Sequence, residues 1–335
     1  MRELGYIGQE WTHMAIKDEN SFLIGTVNSG LKLIDEGEEI FKGSIPLEQQ
    51  RGFLAMLFSS DLPPMDMIYI QPLYCYFFQH KMKLYRKDIT NKPPYLYMDV
   101  LCGVRNGACF RYSNLHEKLI INKDAQNISV VDLQRKKVEI EVKKRVGMGI
   151  MDFRLFGSEE DQVVSVTNDG FVLLYKLDYG QKRGSVIDHS EIKLFRDRAE
   201  MPVSVAVCGK GEYVFVEIGQ GQIPWVSCRI VVLQIRGKSL TQKHTFELAK
   251  TGVNEKFAFE FFRHVGRHIL LVGLSRKCGS ALVYDFDTRT GELRGLGGNK
   301  VSHEEKDPAK LHRLGDKFYY TGDLGNLMSL SITFN

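Results

Sequence analysis

The chain has 335 residues, of which 43% are apolar, 11% aromatic and 26% charged. That is the composition of a globular protein able to bury a large core, and it excludes a disordered chain, a collagen-like chain and a coiled coil. The 45 Lys and Arg nearly balance the 41 Asp and Glu, and a net charge of +4 speaks against a dedicated nucleic-acid binder.

Residues 1–8 contain no apolar stretch of the kind a secretory signal needs. The next recognisable elements are two β runs, 22–26 and 31–35, joined by Asn28-Ser29-Gly30, a turn that supplies positive φ. Residues 46–57 are the only segment whose spacing fits a short helix or a loop. The most apolar window, 65–78, is interrupted by Asp66, Gln71 and Pro72 and is too short to span a bilayer. A β run follows at 80–86, then pairs of runs at 119–121 and 128–132, 163–166 and 171–177, 213–216 and 228–233, 268–272 and 281–285, and 317–320 and 327–330. Between them lies Val138-Glu139-Ile140-Glu141-Val142, whose alternation suits an outer strand with one solvated face. The six cysteines, at 75, 102, 109, 208, 228 and 278, form no Cys-x-x-Cys pair, and most sit in apolar runs, so they read as buried free thiols. An intracellular protein, cytoplasmic or nuclear and not secreted, is expected.

One pattern recurs: a Gly, Asn or Asp turn, a β-forming run, and a polar or acidic end. The first apolar residues of the runs fall at 31, 82, 128, 171, 230, 282 and 327, with a mean interval of about 49, close to that of a four-stranded propeller blade. The copies at 82 and 230 are the poorest. The inner runs are apolar almost without interruption, as strands covered on both faces must be. The expectation is an all-β chain in which residues 1–335 form a single β-propeller of seven blades, with six or eight as alternatives. The last run consumes the C-terminus, so residues 1–10 are expected to supply the outer strand of the last blade and close the ring.

The runs resemble WD40 repeats. Asp169-Gly170-Phe171-Val172-Leu173-Leu174-Tyr175 is similar to the family's Asp-Gly-x-Val…Trp-Asp segment with Tyr175 in the Trp place. Tyr284-Asp285 stands where the family has Trp-Asp and is followed by Thr290-Gly291-Glu292, and Leu33-Ile34-Asp35 also ends on the acid. Trp11 and Trp225 are the only tryptophans, neither precedes Asp, and no Gly-His pair occurs, so the family's His–Asp network is not expected. The resemblance implies a non-catalytic scaffold for protein–protein contacts in a multiprotein complex, acting by rigid display of loops, the propeller itself being monomeric.

Two loops are the first candidates for partner contact: Pro63, Pro64, Met65, Met67 and Tyr69 in one, and Pro224 with Trp225 in the other. An RNA or ribonucleoprotein surface is the alternative, carried by a basic patch of Lys81, Lys83, Arg86 and Lys87 together with Arg135, Lys136, Lys137, Lys143, Lys144 and Arg145. A propeller enzyme with a channel site is the third reading. Its possible acid–base groups, His116 with Glu117 and Asp124, and His189 with Asp188 and Glu191, lie in segments that read as solvated loops. His264 and His268 read as turn histidines around Gly266, and residues 295–300, rich in Gly, as a flexible loop. No nucleophile elbow, phosphate loop or zinc signature is present, and no catalytic residue, cofactor or metal is expected.

Overall fold

The computed structural model describes residues 2–6, 11–26, 30–46, 65–80, 83–98, 110–122, 127–143, 150–179, 186–196, 200–208, 211–220, 226–247, 257–275, 280–300, 312–321 and 326–331. Among them, 28 strands form antiparallel sheets. Following β1 (Arg2–Tyr6), sheet I comprises β2 (Trp11–Asp18), β3 (Ser21–Thr26), β4 (Gly30–Asp35) and β5 (Glu38–Ser44). Sheet II comprises β6 (Met65–Ile70), β7 (Cys75–His80), β8 (Lys83–Asp88) and β9 (Tyr95–Met98), and sheet III β10 (Phe110–Ser113), β11 (Lys118–Asn122), β12 (Asn127–Asp132) and β13 (Lys137–Lys143). Sheet IV comprises β14 (Ile150–Phe156), β15 (Gln162–Thr167), β16 (Phe171–Leu177) and β17 (Val186–Lys193), and sheet V β18 (Glu200–Val207), β19 (Tyr213–Gln220), β20 (Val226–Arg236) and β21 (Ser239–Glu247). Sheet VI comprises β22 (Phe257–Val265), β23 (His268–Ser275), β24 (Ser280–Asp287) and β25 (Glu292–Lys300). Sheet VII has three consecutive strands, β26 (His312–Leu314), β27 (Lys317–Thr321) and β28 (Asn326–Ser331), and its fourth is β1 (Arg2–Tyr6). β1 pairs with β28 through Arg2↔Ser329 and Tyr6↔Asn326.

The uninterrupted apolar runs have a direct physical cause. Successive side chains of a strand point to opposite faces, and here both faces are covered by neighbouring sheets. In β11, Leu119 and Ile121 pack against Phe77 and Leu84 of sheet II, while Ile120 packs against Phe153 and Val163 of sheet IV. In β15, Val163 faces sheet III, and Val164 and Val166 face Val214 and Val216 of sheet V. Phe215 turns the other way, onto Ile269, Leu271 and Phe286 of sheet VI. Leu23 faces Tyr76 and Phe78 of sheet II, and Phe22 and Ile24 face Tyr319 of sheet VII. The first strands also touch in series: β26 with β2, β2 with β6, β6 with β10, β10 with β14, β14 with β18 and β18 with β22.

The recurrent runs of the sequence are the third strands of all the sheets and, except in sheet II, the second strands; the weak copies form β8 and β20. Three expectations are corrected. Residues 65–70 are not a loop but β6, a first strand; Met67 is buried toward sheet I and Ile70 toward sheet III, and the Tyr69 ring lies 5.0 Å from that of Tyr76. The glycine-rich residues 295–300 belong to β25, because β24 offers a ladder of partners from Tyr284↔Gly295 to Ser280↔Lys300, with a register shift at Leu296. Asp188, His189 and Glu191 lie in strand β17 rather than in a loop. Cys75 and Cys208 are buried and free, and burial pushes the Cys75 thiol up to about 12, which keeps it inert. No helix among the described residues is long and apolar enough to cross a membrane.

Candidate interaction surface

The meander order sends the first-to-second and third-to-fourth turns of each sheet to one end of its strands. Contacts between sheets show that these ends lie side by side. The Lys317 amine of sheet VII bonds Glu19 in sheet I, the Tyr97 hydroxyl of sheet II donates to the Leu133 carbonyl in sheet III, and the Ser113 hydroxyl of sheet III donates to Glu160 in sheet IV at 2.7 Å.

Acidic residues at or near the ends of the third strands anchor this turn end. Asp35 accepts from Lys17 at 2.8 Å, Asp132 from Lys118 at 2.6 Å, and both Asp285 oxygens lie 3.0 Å from His268 Nδ1. The hydrogen bond to Asp35 raises the pKa of Lys17. Partial burial alone would lower that of Lys118, but bonds to Asp132 and Glu139 raise it. His264 and His268, read as turn histidines, lie in strands β22 and β23 on either side of the turn at Gly266, and the His268 ring is held by the Asp285 carboxylate. Among the described residues, no group of three or more His, Cys, Asp or Glu is arranged to hold a metal ion.

His116 does not form an acid–base pair with Glu117. Its ring stacks on Tyr179 at 3.8 Å and its Nε2 donates to the Glu159 carbonyl at 2.8 Å, while Glu117 accepts from Gln134. Asp124 lies outside the described residues. The His116 arrangement locks the turns of sheets III and IV together.

The first strands hold a charged cluster of a different kind. Asp152 on β14 accepts from Arg111 on β10 at 3.1 Å, from Arg154 at 2.7 and 2.8 Å, from its neighbour Phe153 N–H at 2.9 Å and from Val205 N–H on β18 at 3.4 Å. One carboxylate thus ties three successive sheets. A second buried pair joins sheets IV and V: Arg229 Nε and Nη2 donate to the Glu200 oxygens at 3.0 and 2.6 Å, and Nη2 also donates to the Leu194 carbonyl. Neither cluster was singled out from the sequence. The signal for Arg229 was there, a cation within the apolar run 228–233 that requires a buried counter-charge.

Of the candidate partner residues, Met67 is buried and Tyr69 is packed against Tyr76, so β6 presents neither as a loop contact. Met65 starts β6, and Pro63, Pro64, Pro224 and Trp225 lie outside the described residues. The basic patch is divided. Lys87 is completely buried: its amine donates to the carbonyls of Asp88 and Thr90 at 2.9 and 2.6 Å and sits 4.6 Å from the centre of the Phe41 ring. A long apolar stem and two carbonyl partners explain why it leaves the surface. Arg86 pairs with Asp88 at 2.7 Å. Arg135, Lys136 and Lys137 are exposed at the turn end, whereas Lys83 and Lys143 occupy the opposite ends of their strands. Lys81, Lys144 and Arg145 lie outside the described residues.

What remains at the turn end of sheets II and III is a set of exposed side chains on rigid supports. Tyr74 is 68% exposed, Leu115 56% and Tyr95 44%. Tyr74 adopts φ 46° after the 3₁₀ turn Gln71–Leu73, with its N–H bonded to the Gln71 carbonyl. The Leu115 N–H bonds the Glu160 carboxylate at 3.0 Å, and Tyr95 pairs with Arg86 in the ladder. The Lys136 ammonium lies 4.6 Å from the centre of the Tyr97 ring.

No family profile and no curated protein matches the chain in sequence. Solved structures do match in shape. Virginiamycin B lyase from Staphylococcus aureus superposes with a TM-score of 0.64 at 12% identity over 99% of each chain. The chain is a β-propeller. BBS1N, solved in complex with ARL6DN, gives a TM-score of 0.61 at 10% identity, covering 97% of this chain and 91% of its own. The WD40 propeller domain of Doa1 gives 0.60 at 9% identity, covering 97% and 93%. At these identities the likeness concerns the propeller fold alone, and the WD40-like blades read from the sequence agree with it.

Proposed function

We propose that this propeller is a non-catalytic scaffold for protein–protein contacts within a multiprotein complex. We further propose that residues 1–335 form one domain, a ring of seven blades closed by β1 in sheet VII, and that the ring is a monomer when alone and resides in the cytoplasm or nucleus. The serial contacts of the first strands and the β1–β28 ladder support the ring. The observation that carries the functional reading is the set of exposed apolar side chains, Tyr74, Tyr95 and Leu115, held on hydrogen-bonded turns of a rigid frame. The propellers of BBS1N and Doa1 share that frame, and the former was solved bound to another protein. Pro224 and Trp225 remain proposed as a second contact.

An enzyme is the second reading, prompted by the fold shared with virginiamycin B lyase and by charged groups on the first strands. Asp152 is the available acid, but it is already engaged by two arginines and two backbone N–H groups, the mark of a structural clamp. RNA binding is the third reading. Burial of Lys87, and placement of Lys83 and Lys143 away from Arg135–Lys137, break the basic tract it requires.

The test is affinity purification of the full chain from its own cells at low and high salt, with stoichiometry measured by size-exclusion chromatography. The expected result is a stoichiometric protein assembly that survives high salt. A chain that elutes as a monomer under both conditions, or carries RNA that high salt removes, overturns the scaffold reading.

A further inference from the structure

The charge at the turn end is sorted by sheet. In sheet I, Asp18, Glu36 and Glu38 surround the Lys17–Asp35 pair. Among the described residues of sheet IV, Glu159, Glu160, Asp161 and Asp178 face one cation, Lys176, which Asp161 binds at 2.8 Å. Between these acidic sectors, sheets II and III present Lys92, Arg135, Lys136 and Lys137, all exposed. The carboxylates of this middle sector are occupied: Asp88 by Arg86 at 2.7 Å, Asp132 and Glu139 by Lys118 at 2.6 and 3.1 Å, and Glu117 by Gln134. The exposed Tyr74, Tyr95 and Leu115 fall in this same sector. Tyrosine beside cations, on a backbone that loses little freedom, is the combination that dominates binding energy at protein interfaces.

Building on the scaffold reading, we propose that the turn end of sheets II and III docks a short acidic segment of a partner protein. Its apolar side chains seat against Tyr74, Tyr95 and Leu115, and its carboxylates meet Lys92, Lys136 and Lys137. The acidic sectors on either side repel such a segment and so confine it to the middle one. The same flanks disfavour RNA, whose phosphates need a continuous basic path longer than two sheets.

The experiment is selection of a displayed random-peptide library on the full chain, followed by fluorescence anisotropy of the enriched peptides. Variants are Tyr74→Ser with Tyr95→Ser, Lys137→Glu alone, and Lys243→Glu on the exposed face of β21 as a control, each checked for an unchanged melting transition. The expected consensus combines Asp or Glu with Leu, Phe or Tyr. Binding falls about tenfold or more in the tyrosine double variant, and several-fold in Lys137→Glu, with little change in Lys243→Glu. Weakening by added salt is expected from the charge pairing. Enriched peptides that are neutral or basic, or that bind all variants equally, overturn this surface while leaving the scaffold reading intact. An empty selection overturns the acidic-segment proposal, and the purification described above decides separately whether the scaffold reading falls with it.

Discussion

Lys87 is the residue at which burial and charge conflict most directly. Among the described residues its amine has two backbone carbonyls and an aromatic face but no carboxylate within bonding distance, and burial pushes its pKa from 10.5 down to about 8. Between those two values the folded protein has released a proton that the unfolded chain still holds, so this residue makes stability rise with pH across the window. Cys75, pushed from 9 up to about 12, acts in the opposite sense above pH 9, so the raw pH profile mixes the two. Comparison with Lys87→Met isolates the lysine. The unfolding free energy of the wild type minus that of the variant should increase by about 1–2 kcal/mol between roughly pH 7.5 and 9.5, measured by urea denaturation. A flat difference would mean that Lys87 keeps its proton or reaches solvent. Gly170 makes a steric counterpart. It has φ +88°, and a Cβ there would lie 2.2 Å from the Phe195 ring. Thr167 and Asp169 fix the turn around it through a 2.6 Å bond, and the Thr167 hydroxyl accepts the Phe171 N–H. Gly170→Ala should lose about 1–2 kcal/mol to backbone strain alone, and more from the overlap. Combining it with Phe195→Ala should cost less than the sum of the two single changes, as read from melting curves.

At the level of elements, the Arg229–Glu200 pair joins β20 to the start of β18 and also captures the Leu194 carbonyl at the end of the preceding sheet. Both side chains are nearly inaccessible to water. Removing one partner strands the other, so Arg229→Met and Glu200→Gln should each cost about 3–5 kcal/mol, whereas Arg229→Met with Glu200→Leu should recover much of that loss. Equilibrium denaturation of the three variants checks this, and a double-variant loss equal to the sum of the single losses would show that the two side chains are not energetically coupled and would overturn the prediction. The same strands show what a sequence reader can and cannot see. Second and third strands were legible because both faces are buried and a Gly or Asn turn joins them. First strands such as β6 were not, because Asp66 and the adjacent prolines imitate a loop while Met67 and Ile70 pack inward. Outer strands were legible where alternation was strong, as in β13, and illegible in β25, whose glycines carry no pattern and are recruited by the β24 ladder. The exposed surface was missed for a related reason: Tyr74, Tyr95 and Leu115 are isolated in sequence, and only the strand order places all three at the turn end of sheets II and III.

For the whole molecule, the decisive junction is the one between sheets VII and I. Two independent sets of contacts act there. β1 adds a fourth strand to sheet VII only a few residues before the chain enters β2 of sheet I. Separately, Tyr319 packs with Met14, Phe22 and Ile24, and Lys317 bonds Glu19. If β1 closes the ring, both sets stabilise one interface and their effects must be coupled. Deleting residues 1–10 exposes β28 as an edge and should lower the melting temperature, and a synthetic peptide of those residues added in trans should restore part of it. Tyr319→Ala, a large cavity in the same junction, should cost about 3–5 kcal/mol in the full chain. In the truncated chain it should cost measurably less, because the junction it weakens is already loosened. Equal cost in both backgrounds would mean that β1 merely completes one sheet, leaving closure to the side chains between sheets VII and I.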